Sequence, residues 1–119
     1  MNPTLDILLN RKSIRAFEKR DIEADVKTKI LEATLRAPTA GNMMLYSILD
    51  ITDQSIKNKL VKTCDDQPFI ARAPMVWVFI ADYQRWYDYF LLSGADTLSD
   101  EPMRKPEEGD LFLACSDTL

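Results

Sequence analysis

Residues 11–17 read RKSIRAF, a basic segment in which Arg11, Ser13 and Arg15 occupy alternate positions. The segment lacks helical periodicity, so we expect an extended arm over residues 11–22. Alternate side chains of an extended chain share a face, which separates these three residues from Lys12. Two guanidinium groups and a hydroxyl on one face suit a phosphate group, although a solvated basic loop would have the same composition.

The distribution of charge favours a small anionic ligand over a nucleic acid. The 119 residues include 15 Lys and Arg and 19 Asp and Glu, for a formal net charge of −4. Residues 11–20 nevertheless carry five basic side chains and one acidic side chain. Such a patch on an acidic chain suits a small anion better than a long polyanion. One hypothesis is therefore a small binder of anionic ligands that uses residues 11–20.

Histidine is absent from the sequence, and the two cysteines are Cys64 and Cys115. The absence of histidine excludes Ser-His-Asp and Cys-His catalysis as well as histidine-ligated metals, so we expect no metal site. Two distant thiols are typical of a reducing compartment. The sequence shows neither a signal peptide nor an apolar run long enough to span a membrane, and we expect a cytoplasmic protein without a membrane partner.

Apolar periodicity and helix-end signals predict five helices and two strands around the arm. In chain order these are a helix from Asn2 and Pro3 to about Asn10, a helix from about Glu23 to Arg36 ended by Pro38, a strand Tyr46–Ile51, a helix capped by Thr52 or Asp53, a strand Met75–Ala81, a helix Tyr83–Ser93 ended by Gly94, and a last helix that Asp110 caps. The polar residues 95–109 predict a loop or lid. The strand–helix–strand order by itself favours a parallel pair.

Aromatic residues concentrate in two of these elements. The unbroken apolar strand Met75–Ala81 is predicted to be buried on both faces, with Trp77 and Phe79 in the core. The next helix carries an aromatic stripe, which we expect in the core or in a subunit interface. Its members are Tyr83, Trp86, Tyr87 and Phe90.

Two further segments carry amide groups suited to a flat heterocycle. Residues 37–42 read APTAGN, a run of small side chains that follows a helix end and finishes with Asn42. Gln67 lies between the third helix and the second strand. Each has an ordinary structural interpretation, a helix-ending turn for the first and a surface loop for the second.

Taken in this order, the segments resemble the nitroreductase family of flavin-dependent NAD(P)H oxidoreductases. The match consists of RKSIRAF, an amphipathic helix, APTAGN, a strand, a helix, a Gln-bearing loop, and the strand APMVWVF at residues 73–79. The resemblance implies an α+β fold with a largely antiparallel sheet flanked by helices, which replaces the parallel expectation. It also implies FMN bound at the interface of a homodimer, NAD(P)H as reductant, and a small flat acceptor such as a nitroaromatic or a quinone, with no nucleic-acid partner.

The resemblance also assigns roles to the candidate cofactor-binding residues. Arg11 and Ser13 match positions that hold the phosphate and ribityl chain of FMN, Lys12 belongs to the same basic motif, and Arg15 matches a basic position nearer the pyrimidine end of the ring. The remaining matches are Pro38, Thr39 and Asn42 in a loop against the isoalloxazine and Gln67 at a ring hydrogen-bonding position. No catalytic side chain is implied, because the flavin carries the hydride.

Members of the family are longer than this sequence, with a central dimer helix, a glycine-rich segment and a C-terminal basic residue further along the chain. We therefore expect residues 1–119 to form the N-terminal part of a single nitroreductase-like domain, incomplete in the helix that starts near residue 110, and to bind FMN weakly or not at all. The alternatives are an inactive fragment that acts as an interaction module, and a related flavin-dependent dehalogenase or flavin-degrading enzyme.

Overall fold

The computed structural model describes residues 2–119, which form six α-helices and two β-strands. In chain order these are α1 (Pro3–Asn10), α2 (Ala24–Thr34), β1 (Tyr46–Asp50), α3 (Gln54–Thr63), α4 (Phe69–Arg72), β2 (Trp77–Ala81), α5 (Arg85–Ser93) and α6 (Glu108–Thr118). Short 3-10 turns lie at Ala40–Asn42 and Ala95–Leu98. The chain divides into two compact units, residues 2–22 with 51–76, and residues 23–50 with 77–119.

Both long helices of the first unit begin at side-chain caps that the sequence predicts. The Oδ1 atom of Asn2 accepts a hydrogen bond of 2.9 Å from the Thr4 N–H, and Pro3 opens α1. The Oδ1 atom of Asp53 accepts bonds from the N–H groups of Ser55 and Ile56 at 2.6 and 3.2 Å. These bonds to Ser55 and Ile56 lower the pKa of the Asp53 carboxyl. A cap of this kind stabilises a helix by about 1 kcal/mol.

A buried lysine joins α3 to the end of α4. Lys57 is only 8% exposed, and its Nζ donates a 3.1 Å hydrogen bond to the carbonyl of Ala73, the residue that follows α4. Gln54 reaches the neighbouring Ala71 carbonyl at 3.1 Å. A cation is favoured at the C-terminal end of a helix because the last carbonyls carry partial negative charge. These two bonds fix α3 against α4.

The sheet of the second unit consists of β1 and β2 in antiparallel register. Tyr46 lies opposite Ala81 at one end, and Asp50 lies opposite Trp77 at the other. Helix α6 packs on both strands, and Ala114 at its centre has no exposed surface. The order of the elements predicted parallel strands. The chain instead enters β2 at Trp77, opposite the last residue of β1, Asp50, so the two strands run in opposite directions. The antiparallel α+β expectation is confirmed.

The prediction that β2 is buried on both faces is wrong. Phe79 is 40% exposed and Ile80 is 42% exposed, while Trp77 is half-buried. Within residues 2–119, α6 is the one helix that packs extensively on β2, and a single helix does not cover both faces of the strand. A continuous apolar run therefore overestimates burial here, and the core residues are the shorter set Leu45, Tyr46, Ala73 and Ala114.

The end of α2 and the start of α5 each differ from the prediction by two residues. Helix α2 stops at Thr34 instead of Arg36, and two turn hydrogen bonds at Arg36 and Ala37 follow before Pro38. Proline disfavours the helical conformation of the residue before it, which explains the earlier stop. Helix α5 begins at Arg85, two residues after Tyr83, and ends as expected at Gly94, whose φ is +73°. No helix of the described residues has the length and apolar character that crossing a membrane requires.

Helix α6 starts earlier than Asp110, the residue predicted to cap it. The helix begins at Glu108, and Glu107 is the N-cap. The Glu107 N–H donates a 2.8 Å hydrogen bond to Oδ2 of Asp110, which therefore lies inside the first turn and reaches back to its start. Carboxylates in the first turn are favoured by the unpaired N–H groups there.

Candidate functional site

The arm at residues 11–22 has no regular secondary structure, as predicted, and its residues 11–20 are exposed. In the described part of the chain, no side-chain hydrogen bond or ion pair engages Arg11, Lys12 or Ser13. Their charges and hydroxyl are therefore free to meet a ligand from solvent. A phosphate is the chemistry that such a set of donors fits.

Arg15 is held differently from Arg11. Its Cζ atom lies 5.6 Å from the centroid of the Phe69 ring, a cation–π distance, and the ring of Phe17 packs 6.4 Å from the same ring. Cation–π contacts of this kind contribute about 0.5–1 kcal/mol at exposed sites. The contact with Phe69 holds the Arg15 guanidinium at the first residue of α4. Phe69 follows Gln67 by two residues in the chain.

Gln67 lies in the turn between α3 and α4. Its Nε2 donates a 3.0 Å hydrogen bond to the carbonyl of Cys64, and its backbone N–H donates to the Val61 carbonyl at 3.2 Å. The amide nitrogen is thus used within the turn, and the Oε1 atom faces no donor among the described residues. The side chain remains suited to accept one hydrogen bond. In the first unit the structure therefore places Arg15 and Gln67 near the same short helix.

The segment from Thr39 to Met44 has an unusual backbone. Gly41, Asn42 and Met44 have φ values of +59°, +56° and +50°. Left-handed backbone is sterically costly for residues with a side chain, so it persists where other contacts impose it. The Thr39 hydroxyl accepts a 3.2 Å hydrogen bond from the Met44 N–H, and so serves the turn itself.

Pro38 and the Asn42 amide lie on the exposed side of this segment. Among residues 2–119, the Asn42 side chain has no hydrogen-bonding partner, although its N–H donates to the Thr39 carbonyl at 3.1 Å. The backbone of the segment is thus engaged while the Asn42 amide is available. An available amide on a fixed turn fits the edge of a flat ring.

Three side chains from outside the segment hold its backbone, and sequence reasoning missed all of them. Asp117 accepts hydrogen bonds from the N–H groups of Ala40 and Leu45, at 2.9 and 3.3 Å. One Arg85 nitrogen donates to the carbonyls of Met44 and Tyr46, at 2.7 Å each, and Trp86 Nε1 donates to the Met43 carbonyl at 2.8 Å. We call Asp117, Arg85 and Trp86 the clamp. Because the partners are distant in sequence, no local spacing could indicate them.

The predicted aromatic stripe lines a cavity of about 220 Å³ beside α5. Its members are joined there by Met43, Leu45, Met103, Pro106, Arg104 and Asp110. The two terminal nitrogens of Arg104, Nη1 and Nη2, donate hydrogen bonds to the two carboxylate oxygens of Asp110, at 2.9 and 2.8 Å. This hydrogen-bonded guanidinium, with a backbone bond from Glu107, lowers the pKa of Asp110 to about 2, and the same pair raises the pKa of Arg104.

Comparison with known proteins identifies relatives across most of the chain. The profile of the Nitroreductase family matches residues 8–106. An oxygen-insensitive NADPH nitroreductase of Salmonella typhimurium is 31% identical over 85 residues, which cover 71% of this chain and 35% of that protein. An NADPH-flavin oxidoreductase of Vibrio harveyi is 32% identical over 85 residues, with the same two coverages.

A solved structure shares the fold. The NADPH:FMN oxidoreductase of Vibrio harveyi, complexed with NAD+, superposes with a TM-score of 0.80 at 24% identity. The alignment covers 98% of this chain and 46% of that chain. The present chain thus spans between about a third and a half of the length of these relatives.

Proposed function

The chain belongs to the nitroreductase family, and from that premise we propose that it carries FMN-contacting residues of an oxidoreductase. The proposed reaction moves electrons from a nicotinamide nucleotide to a flat acceptor such as a nitroaromatic or a quinone. When bound, FMN accepts a hydride and passes electrons on, so the protein needs no nucleophile of its own. The related Vibrio harveyi protein, an NADPH:FMN oxidoreductase solved in complex with NAD+, supports this pairing of a nicotinamide nucleotide with FMN.

The observation that carries the proposal is the exposed arm with its unengaged donors. Arg11 and Ser13 would hold the FMN phosphate and ribityl chain, with Lys12 adding positive charge from the other face of the arm. Charged donors of this type bind phosphate strongly and with geometric specificity. Among the described residues, Arg11 and Lys12 have no carboxylate partner. These two adjacent charges form no ion pair that stabilises the fold, so a ligand accounts for them better than folding does.

We assign the second group of candidate residues to the ring of FMN. Asn42 would meet its edge from the fixed turn, with Pro38 and Thr39 packing beside it, and Gln67 would offer its free Oε1. Arg15, restricted by Phe69, would favour negative charge at the pyrimidine end. These roles rest on the family pattern and on the availability of each side chain.

A homodimer is part of the proposal, since the helices expose large apolar side chains. Leu8 and Leu9 of α1 are 63% and 74% exposed, and Phe112 of α6 is 76% exposed. Apolar surface of this kind marks interaction sites. The same observation supports the second candidate function, an interaction module that has lost flavin chemistry.

The deciding experiment is a titration of the purified chain with FMN, followed by flavin fluorescence, and then anaerobic addition of NADPH with absorbance as readout. The proposal predicts saturable binding and bleaching of the bound flavin by NADPH. An unchanged FMN signal at all protein concentrations would contradict it and leave the interaction module. Binding without bleaching would retain the cofactor assignment and remove the nicotinamide assignment.

A further inference from the structure

The carboxylate of Asp117 is hydrogen-bonded to both ends of the turn that contains Asn42. Asp117 accepts from Ala40 with Oδ1 and from Leu45 with Oδ2, at 2.9 and 3.3 Å. These two amides flank the left-handed residues of the turn. Hydrogen bonds to a charged acceptor are stronger than neutral ones, so Asp117 can hold a backbone that would otherwise relax.

We propose that Asp117 is a positioning residue for the flavin ring, acting through Asn42. The proposal rests on the proposed function. By fixing the amides of Ala40 and Leu45, Asp117 keeps Asn42 in the conformation in which its side chain is exposed and unpaired. An amide that is fixed before binding loses less conformational freedom when a ring contacts it, and so binds more tightly.

Asp117→Asn is a conservative test because the side chain keeps its size. The asparagine retains one acceptor oxygen and turns its NH2 group toward the other backbone N–H, so one bond is lost and two donors face each other. Glu108→Gln is the matched control. It removes the same charge from α6, from an exposed residue whose side chain makes no hydrogen bond within residues 2–119.

The first measurement compares dissociation constants for FMN and for riboflavin, which lacks the phosphate. Since the turn is assigned to the ring, Asp117→Asn should weaken both ligands by a similar factor of roughly ten. Glu108→Gln should leave both within about twofold. A loss confined to FMN would overturn the inference, because it would place the effect at the phosphate.

The second measurement tests whether Asp117 acts through Asn42. In an Asn42→Ala background, Asp117→Asn should cause little further loss of riboflavin affinity, because the group that it positions is gone. If the two factors simply multiply, Asp117 supports the fold in general, and the inference fails.

The third measurement needs no flavin. Amide hydrogen exchange at Ala40 and Leu45 should accelerate in Asp117→Asn, while the amides of β1 and β2 remain protected. Loss of protection in those strands as well would mean that Asp117 supports the fold in general, and would overturn the inference. Unchanged exchange at Ala40 and Leu45 would overturn the inference.

The outcomes separate the two proposals. A wild-type chain that binds flavin, together with an Asp117→Asn variant of equal affinity, overturns the inference and retains the proposed function. A wild-type chain that binds neither flavin overturns the proposed function and the flavin role of Asp117 with it.

Discussion

At the scale of single residues, the clearest prediction concerns Arg11. Arg11→Ala should weaken FMN binding by roughly ten- to a hundredfold, because a charge-assisted hydrogen bond contributes about 1.5–3 kcal/mol. The substitution should leave the fold intact, since the side chain is exposed. The measurement is an FMN titration of both proteins by fluorescence.

Lys12→Ala is the control for this prediction because Lys12 is also exposed and also carries one positive charge. It should cost much less, since an extended arm turns Lys12 away from Arg11. Riboflavin should bind wild type and Arg11→Ala alike. Equal losses for the two variants, or a parallel fall in riboflavin affinity, would mean that Arg11 does not read the phosphate.

The sequence indicates residues of this kind when their chemistry is local. The basic motif around Arg11 and the cap Asp53 could be predicted from neighbouring residues, and the structure confirms the irregular arm and the cap. The roles of Asp117 and Arg85 could not be predicted in this way. Asp117 bonds to Ala40, 77 residues away, and Arg85 bonds to Met44, 41 residues away. Long-range side-chain contacts to backbone leave no periodic trace in a single sequence.

At the scale of elements, the start of α6 contains the ion pair of Arg104 and Asp110. Arg104→Gln should return the pKa of Asp110 from about 2 toward its usual 3.8, because the hydrogen-bonded guanidinium is the largest cause of the lowering. Carboxyl NMR shifts followed against pH measure this directly. Lys105→Gln removes a neighbouring charge that does not contact Asp110 and should leave the pKa of Asp110 low.

The lowered pKa of Asp110 has a definite sign for stability. Since the folded pKa is below the unfolded one, the pair stabilises the fold fully above pH 3.8, and that contribution disappears as the pH falls to about 2. The free energy of unfolding should therefore decrease more steeply over this window in wild type than in Arg104→Gln. Parallel curves would show that the pair does not couple to folding.

Five of the six helices and both strands were predictable, but the short helix α4 was not, and the ends and burial of the other elements were less predictable. Gly94 fixes the end of α5 through its left-handed backbone, which few other residues adopt. By contrast, α6 begins before Asp110, because that carboxylate bonds back to the Glu107 N–H from within the first turn. Burial of Phe79 was overestimated because it depends on the elements that cover the faces of the sheet, which the sequence of β2 does not encode.

At the scale of the whole molecule, exposed apolar side chains predict self-association. Replacing Leu8 and Leu9 together by serine should shift the chain toward lower mass in analytical ultracentrifugation, because it removes apolar surface that a second copy would bury. Lys29→Ser, on the exposed surface of α2, should leave the distribution unchanged. An identical distribution for all three proteins would exclude α1 from the contact.

The antiparallel sheet required information beyond local pattern. Strand order in the chain favoured a parallel pair, whereas the resemblance carried by RKSIRAF and APTAGN implied the antiparallel one, which is found. Strand direction depends on how the intervening chain turns, and α3 and α4 make that turn. In the first unit, the Ile51 N–H donates to the Val76 carbonyl at 2.9 Å, so the two ends of segment 51–76 are hydrogen-bonded to each other.

That meeting of Ile51 and Val76 has a consequence for the order of folding. The strands can pair only after the chain between them closes, and loop closure is entropically costly. If α3 and α4 associate early, they draw these ends together and shorten the effective loop. Weakening α3 at its start by Asp53→Ala should then slow folding more than it speeds unfolding in stopped-flow chevron plots. An effect on the unfolding limb alone would mean that the sheet forms before α3 and α4, which lie between its strands.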